Sequence, residues 1–324
     1  MKFSANEWGP LKAVIVGRAN NAKIPADNIC LRVINYADKS SDFVIPSGLY
    51  PDQVIEEANE DLEIFVEFLE GLDILVHRPN VNHDPLYYNF CPRDTVLVHQ
   101  NKMLAAPMPI RARSKEFMAS FDTFSIYGSV LTGKMLKDDS LYNMECLGNR
   151  NVLALHETEP AFDAANILRD NDNLYYLVSN TGNKKGAEFL QNMFPECKVW
   201  TIENVYSYAH LDSTIALLRE GLILCNPIRV KNKEQLPKPL QSWDIIWAPD
   251  PVDIGHFPDY CNASPWINVN LFSINPNLVV LEQNQEPTRK ILEKHGIDCA
   301  MLPMRHARTL GGCFHCVTLD MVRE

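Results

Sequence analysis

Two rhythms of apolar and polar positions run along the chain. Between residues 53 and 71, Val54, Ala58, Leu62, Phe65 and Leu69 recur at three- and four-residue intervals with acidic residues opposite. That spacing predicts an amphipathic helix. Gly71 helps to end it, and residues 73–77 read as a short buried strand. The same order of helix, break and strand recurs four times: 113–121 before 123–127, 185–194 before 198–202, 233–241 before 244–248, and 287–295 before 297–302. Apolar strand-like runs precede the helices, at 11–16, 95–106, 174–179, 214–225 and 271–282. Arg219-Glu220-Gly221 and Asn275-Pro276-Asn277 supply hairpin turns inside the last two.

Five strand–strand–helix–strand units, spaced by roughly 50–70 residues, predict a closed, pseudo-symmetric α/β assembly. A doubly wound sheet would instead want a glycine-rich phosphate loop after the first strand. Val16-Gly17-Arg18-Ala19 offers none. Segments 19–52, 79–93 and 132–150 read as surface excursions, and no linker divides the chain, so residues 1–324 are expected to form a single catalytic domain.

Composition narrows the function classes. Of 324 residues, 46% are hydrophobic and 22% charged, as in a soluble globular enzyme. A net charge of −11 without any Lys/Arg run argues against nucleic acid as a partner. The N-terminal sequence lacks a signal-peptide pattern, and no run approaches the ~18 apolar residues of a membrane span. Nine cysteines, an odd number scattered through apolar segments, predict free thiols in a cytoplasmic protein.

The densest chemistry lies near residue 316, in Gly311-Gly312-Cys313-Phe314-His315-Cys316. Gly311 and Gly312 permit a close turn that leaves a substrate room to reach the Cys316 sulfur, although free cysteines are more often simply buried. Cys313 and Cys316 form a CxxC pair, but no helix follows it as a redox motif requires, and no second pair completes a zinc site. A cysteine nucleophile needs a base. His210 lies in His210-Leu211-Asp212, where alternation in an extended segment would turn His210 and Asp212 to one side. His315, next to Cys316, would point the other way. Asp163 sits among apolar neighbours in Glu159-Pro160-Ala161-Phe162-Asp163-Ala164-Ala165-Asn166. It reads either as a buried partner for an imidazole or as a helix cap. Asp94 follows Cys91-Pro92-Arg93 just before a strand. A thiol, an imidazole and three carboxylates suit a cationic substrate such as a guanidinium, which accepts paired carboxylates.

In this combination and order the chain resembles the amidinotransferases, over nearly its whole length. The resemblance rests on residues 6–22 and 91–113, on EPAFDAANILR at 159–169, HLD at 210–212, NPIR at 226–229 and GGCFHC at 311–316. It implies a five-bladed α/β propeller, the pentein fold. It also implies Cys316 as nucleophile, His210 as general acid/base and Asp163 as the carboxylate that orients it. By the same resemblance Asp94 and Asp212 hold the guanidinium, Arg229 binds the donor's carboxylate and Ser264 assists there. L-Arginine and an acceptor amine are the implied partners, with no metal or organic cofactor, no nucleic acid and no membrane; a homodimer is left open.

Two departures qualify this. The family has a third glycine where this chain has Cys313; if that glycine holds a positive φ, Cys313 is strained or the turn differs. Glycine-using members carry Asn and Met where this chain has Ser207 and Ala209, so glycine is not the expected acceptor. The competing expectation is hydrolysis of the arginine deiminase type, with water as acceptor.

Overall fold

The computed structural model describes residues 3–81, 90–133, 136, 138–149, 151–260 and 263–324. Its organising element is a three-stranded sheet that occurs five times with one topology. In the first blade, Leu11–Val16 lies between Thr318–Arg323, antiparallel, and Leu75–His77, parallel. The second blade joins Val96–His99, Lys102–Ala105 and Val130–Thr132. The third joins Ile167–Asp170, Asn173–Leu177 and Lys198–Ile202. The fourth joins Ile215–Arg219, Leu222–Cys225 and Asp244–Trp247. The fifth joins Phe272–Asn275, Leu278–Glu282 and Asp298–Leu302.

Each blade combines one antiparallel and one parallel pairing. The antiparallel pairing in blades two to five needs only a tight turn, such as the one Gly221 makes at φ 79°. The parallel return needs a crossover, and the helices occupy these crossovers. Asp52–Glu70 buries Val54, Ala58, Leu62, Phe65 and Leu69, the stripe seen in the sequence. Lys184–Met193 and Glu286–Lys294 are the crossovers of the third and fifth blades. The first blade closes through pairing of the strand Thr318–Arg323 with Leu11–Val16, from Leu11↔Arg323 to Val16↔Thr318. The five-unit pentein architecture expected from the sequence is the one observed.

Three local expectations are corrected. Residues 123–127 are not a strand; Phe121–Tyr127 is a helix, and the blade strand is Val130–Thr132. Phe121, Phe124 and Tyr127 repeat every three residues rather than every two, and Gly128 at φ 152° ends the turn. Residues 233–241 form no α-helix but two 3-10 turns, Lys233–Gln235 and Lys238–Ser242, because Pro237 and Pro239 lack the N–H that a helix interior needs. Segment 19–52 is more than a surface excursion. It contains the helix Ile29–Asn35, with Cys30, Leu31, Val33 and Ile34 buried. In the other two excursions, Phe90, Cys91, Leu141, Tyr142 and Cys146 are buried, whereas 82–89, 134, 135, 137 and 150 lie outside the described residues.

Apolar clusters fill the spaces between blades, but the centre is polar. Arg169 of the third blade is fully buried and donates to Glu7 Oε2 at 2.7 Å, Asp320 Oδ1 at 2.8 Å and the Val98 carbonyl of the second blade at 2.8 Å. Arg323 donates to Asp320 Oδ2 at 2.6 Å and to the Ser273 carbonyl of the fifth blade at 2.7 Å. Beside this ionic plug, a short turn precedes the antiparallel strand of every blade. The turns are closed by N–H to carbonyl bonds: Asp94 to Cys91 at 3.3 Å, Asn166 to Asp163 at 3.0 Å, Thr214 to Leu211 at 2.8 Å, Asn270 to Ile267 at 3.1 Å and Val317 to Cys313 at 3.1 Å. These five turns deliver the side chains of the site.

Candidate active site

The turns converge on a small pocket of about 60 Å³, lined by Asp94, Asp163, Ala209, His210, Asp212, Ser264, Asn270, Gly312 and Cys316 among others. Cys316 is buried at 2% exposure, with the sulfur 3.2 Å from Asp212 Oδ2. Gly312 is required here by space: a Cβ on it would lie 2.3 Å from the Cys316 Cβ and 2.4 Å from its sulfur. The left-handed position in this loop belongs to Gly311, at φ 105° after the helix Ala307–Leu310, so Cys313 carries no such strain.

His210 Nε2 lies 3.0 Å from Asp163 Oδ2, and its Nδ1 lies 3.6 Å from Asp94 Oδ1. Asp163 occupies the cap position of the turn Ala164–Asn166 yet makes no capping bond; its carboxylate goes to the imidazole. Asp94 Oδ2 accepts from Arg113 Nη1 at 2.8 Å, and Arg113 also holds Glu116. This leaves Asp94 Oδ1 and Asp163 Oδ1 buried, with no hydrogen bond from any described residue. Buried carboxylate oxygens without a hydrogen bond are costly, and both acids belong to the pocket lining.

His210 and Asp212 reach the pocket differently from the extended segment expected. His210 precedes the 3-10 turn Leu211–Ser213, and it is this turn that brings Asp212 round to the pocket. The turn also seats Asp212 Oδ2 2.8 Å from His315 Nδ1. His315 is thus absent from the pocket lining but acts on Asp212 from behind, a contact the sequence did not disclose. Glu7, 3.5 Å from His315 Nε2, links this pair to the central plug.

Charge and burial set the protonation of these groups. Burial alone would lower the His210 pKa, but the Asp94 charge and the Asp163 hydrogen bond outweigh it and raise it well above the ordinary imidazole value. Burial lifts the Asp94 carboxyl despite the pull of His210 and Arg113. Burial would lift Asp212 too, but the contact with His315 holds it below the usual range. Contact with Cys91, burial and the Asp212 charge push the Cys316 thiol well up, against the opposite influence of His210. The neighbouring acids therefore favour the protonated form of the His210 imidazole. Asp94, His210 and Cys316 also place one donor atom each within 4.8 Å of one another, a spacing that could hold an ion. We read them as reactive groups and not as ligands.

Arg229 is half-buried and is not among the residues that line the pocket, but it holds two that are, Ser213 and Ser264. Its Nη1 donates to Ser213 Oγ and Thr214 Oγ1, each at 2.8 Å, its Nη2 to Ser264 Oγ at 2.7 Å, and the guanidinium lies 3.4 Å from the centre of the Tyr206 ring. A second cavity of about 370 Å³ adjoins the pocket and shares Asn35, Tyr206, Tyr208, Ala263 and Ser264 with it. Ser207 lines this outer cavity, Ala209 the inner pocket. Asn35 ends the helix Ile29–Asn35, so the first long excursion forms part of the wall.

The chain is 40% identical to inosamine-phosphate amidinotransferase 1 of Streptomyces griseus over 98% of its own length and 96% of the relative's. The chain belongs to the amidinotransferase family. It is 30% identical to the mitochondrial glycine amidinotransferase of Xenopus tropicalis, over 99% of this chain and 82% of that one. No protein-family model matches. Among solved structures, the inosamine-phosphate amidinotransferase of S. griseus superposes with a TM-score of 0.93 at 36% identity, covering 100% of this chain and 97% of the other. SxtG, an amidinotransferase from Microseira wollei in the saxitoxin biosynthetic pathway, superposes at 0.88 with 30% identity, covering 100% and 97%. As an amidinotransferase the chain is an enzyme acting on small molecules. Among its described residues no helix is long and apolar enough to cross a membrane, and the eight described cysteines are free thiols.

Proposed function

We propose that this amidinotransferase moves the amidino group of L-arginine to an amine other than glycine, through an S-amidino intermediate on Cys316. The observation that carries this reading is the pair of buried oxygens that accept no hydrogen bond from the described residues, Asp94 Oδ1 and Asp163 Oδ1, in acids that line one pocket with Asp212 and a thiol. A planar cation with several N–H donors satisfies such a site, and a guanidinium has that form.

In the first half-reaction the guanidinium lies between Asp94 and Asp212. Its positive charge offsets the carboxylates that keep the Cys316 proton in place, so the thiol releases that proton to solvent and thiolate forms as the donor binds. Sulfur attacks the guanidinium carbon. The C–N bond to the side-chain nitrogen then breaks, and protonated His210, held by Asp163, gives that nitrogen its proton. Ornithine leaves, and the amidino group stays on sulfur. In the second half His210, now neutral, takes a proton from the acceptor amine. The nitrogen attacks the amidino carbon, and the C–S bond breaks to regenerate thiolate. Kinetics are ping-pong. Arg229, which bonds the pocket-lining Ser213 and Ser264 and packs on Tyr206, is the cation proposed to attract the donor's carboxylate. No step needs a metal or an organic cofactor.

The outer cavity supports an acceptor larger than glycine. It is about 370 Å³ against about 60 Å³ for the inner pocket, and Asn149, Asn180 and Ser207 are among the polar side chains on its wall. The relative from S. griseus is named for a phosphorylated amino-cyclitol, a molecule of that size class.

Incubation with L-arginine, with and without a panel of amines, tests the reading by quantifying ornithine, citrulline and new guanidines. Ornithine beyond one equivalent only in the presence of an amine is expected. Citrulline formed without any amine would overturn transfer in favour of hydrolysis.

A further inference from the structure

Four of the five converging turns supply groups to the chemistry above: Asp94, Asp163, Asp212 and Cys316. The fifth blade has the same turn in the same place, closed from Asn270 N–H to the Ile267 carbonyl at 3.1 Å, and it supplies no acid. Asn270 stands two residues before its strand Phe272–Asn275, as Asp94 stands before Val96–His99 and Cys316 before Thr318–Arg323. Its side chain is 3% exposed and lines the inner pocket.

The orientation of this amide is fixed by its neighbours. Asn270 Oδ1 receives the backbone N–H of Cys313 at 2.8 Å and that of Cys316 at 3.4 Å. Backbone N–H groups only donate, so the atom that faces them is the oxygen. Nδ2 is thereby turned to the Cys316 sulfur, 3.3 Å away, and toward the Asp212 carbonyl at 3.5 Å. The Asn270 carbonyl also accepts from His315 N–H at 3.3 Å. One residue therefore clamps the nucleophile loop at three backbone positions and points an N–H at the sulfur. Of the other groups at that sulfur, the Asp212 carboxylate and the Cys91 thiol oppose negative charge there, while His210 favours it.

We propose that Asn270 is a further catalytic residue, whose amide N–H stabilises the Cys316 thiolate while its Oδ1 holds the loop that carries it. The same donor serves twice, once when the thiolate forms and again when it is expelled as leaving group from the amidino intermediate. The proposal rests on Cys316 being the nucleophile.

The test is alkylation of Cys316 by iodoacetamide across pH, followed by peptide mapping, in the wild type, Asn270→Asp and Asn270→Ala. Asn270→Asp keeps an oxygen for the two backbone N–H groups and removes the donor to sulfur, so it separates the donor from the clamp if the alanine variant does not fold. Alkylation of Asn270→Asp near neutral pH is expected to slow by roughly 10- to 100-fold, the loss set by one hydrogen bond to a charged atom, with the profile displaced to higher pH. Formation of the amidino adduct from L-arginine should slow in parallel. Alkylation and adduct formation within about twofold of wild type would overturn the Asn270 role alone. A wild-type Cys316 that neither alkylates nor forms an adduct would instead remove the nucleophile assignment, and this proposal with it.

Discussion

His210 Nε2 and Asp163 Oδ2 lie 3.0 Å apart although they come from different blades, Asp163 from the turn that opens the third and His210 from the loop that opens the fourth. The pairing makes the imidazole's protonation a property of the blade interface. Burial lowers the His210 pKa, while Asp94 and Asp163 raise it by more. Asp163→Asn removes the charge of one of the groups that raise it, alongside Asp94 and Cys316, and leaves a weaker, neutral acceptor to orient the ring. The His210 pKa should fall, and the alkaline limb of kcat/KM for L-arginine should move to lower pH, because the first half-reaction needs protonated His210. Turnover at the optimum should drop by about 100- to 10,000-fold, the range for lost acid–base function. A pH–rate profile and single-turnover ornithine release measure both effects; an unmoved alkaline limb would contradict the role given to Asp163.

The nucleophile loop tolerates no side chain at residue 312. A Cβ there would stand 2.4 Å from the Cys316 sulfur, closer than real contacts allow, and the nearest atoms belong to the short, buried Cys316 itself. Gly312→Ala should displace the sulfur and abolish the amidino adduct, with a modest loss of thermal stability. Cys316→Ala should also abolish the adduct, yet retain binding of L-arginine, since Asp94, Asp163 and Asp212 stay in place. Intact-protein mass after incubation with L-arginine alone, with calorimetric binding, distinguishes the two variants. An adduct that survives Cys316→Ala would exclude Cys316 as its site.

The repeat was legible because hydrophobic periodicity is local: Val54 to Leu69 mark their helix without reference to the rest of the chain. It failed where local and tertiary signals diverge, as at Phe121–Tyr127, where a three-residue period resembles a short apolar strand, and at 233–241, where two prolines outweigh an otherwise helical composition. The acidic residues and Cys316 could be selected as candidates because their chemistry is conspicuous. Asn270, Arg113 and Glu7 could not, because an asparagine before a strand or an arginine in a loop acquires meaning only from what folding places beside it. His315 shows the same limit: its direction away from the pocket followed from adjacency to Cys316, but its bond to Asp212 did not.

The central plug predicts how the enzyme fails in acid. Burial would raise the Asp320 carboxyl, but Arg169, Arg93 and Arg323 hold it well below the ordinary range. A carboxylate depressed on folding contributes stability that is present above its unfolded value, near 3.9, and lost as pH falls through the folded value. Wild-type stability should therefore decline with acidification below about pH 4. Asp320→Asn should cost about 3–5 kcal/mol at neutral pH by leaving buried guanidinium groups underpaired. The gap between variant and wild type should narrow toward low pH. Urea unfolding at several pH values reads both terms, and a gap that widens in acid would contradict the ionised state given to Asp320.

The outer cavity makes the last prediction, because the proposed acceptor would occupy it while the acids that hold the donor's guanidinium line only the inner pocket. Ser207 lines only that cavity among the residues that replace the glycine-specific pattern, and it is exposed, while Ala209 lines the inner pocket. A bulky substitution at Ser207 fills space proposed for the acceptor and lies outside the inner pocket lined by Asp94, Asp163 and Asp212. Ser207→Trp should lower kcat/KM for the acceptor amine by roughly 10-fold or more, as for other losses of packed binding surface, with single-turnover release of ornithine unchanged. The converse double change, Ser207→Asn with Ala209→Met, narrows both compartments and should favour small amines over large ones. Competition between glycine and a larger amino alcohol, read as the ratio of guanidine products, measures the shift. If Ser207→Trp slows ornithine release as much as overall transfer, the outer cavity is part of the donor path and the spatial division of the two substrates is wrong.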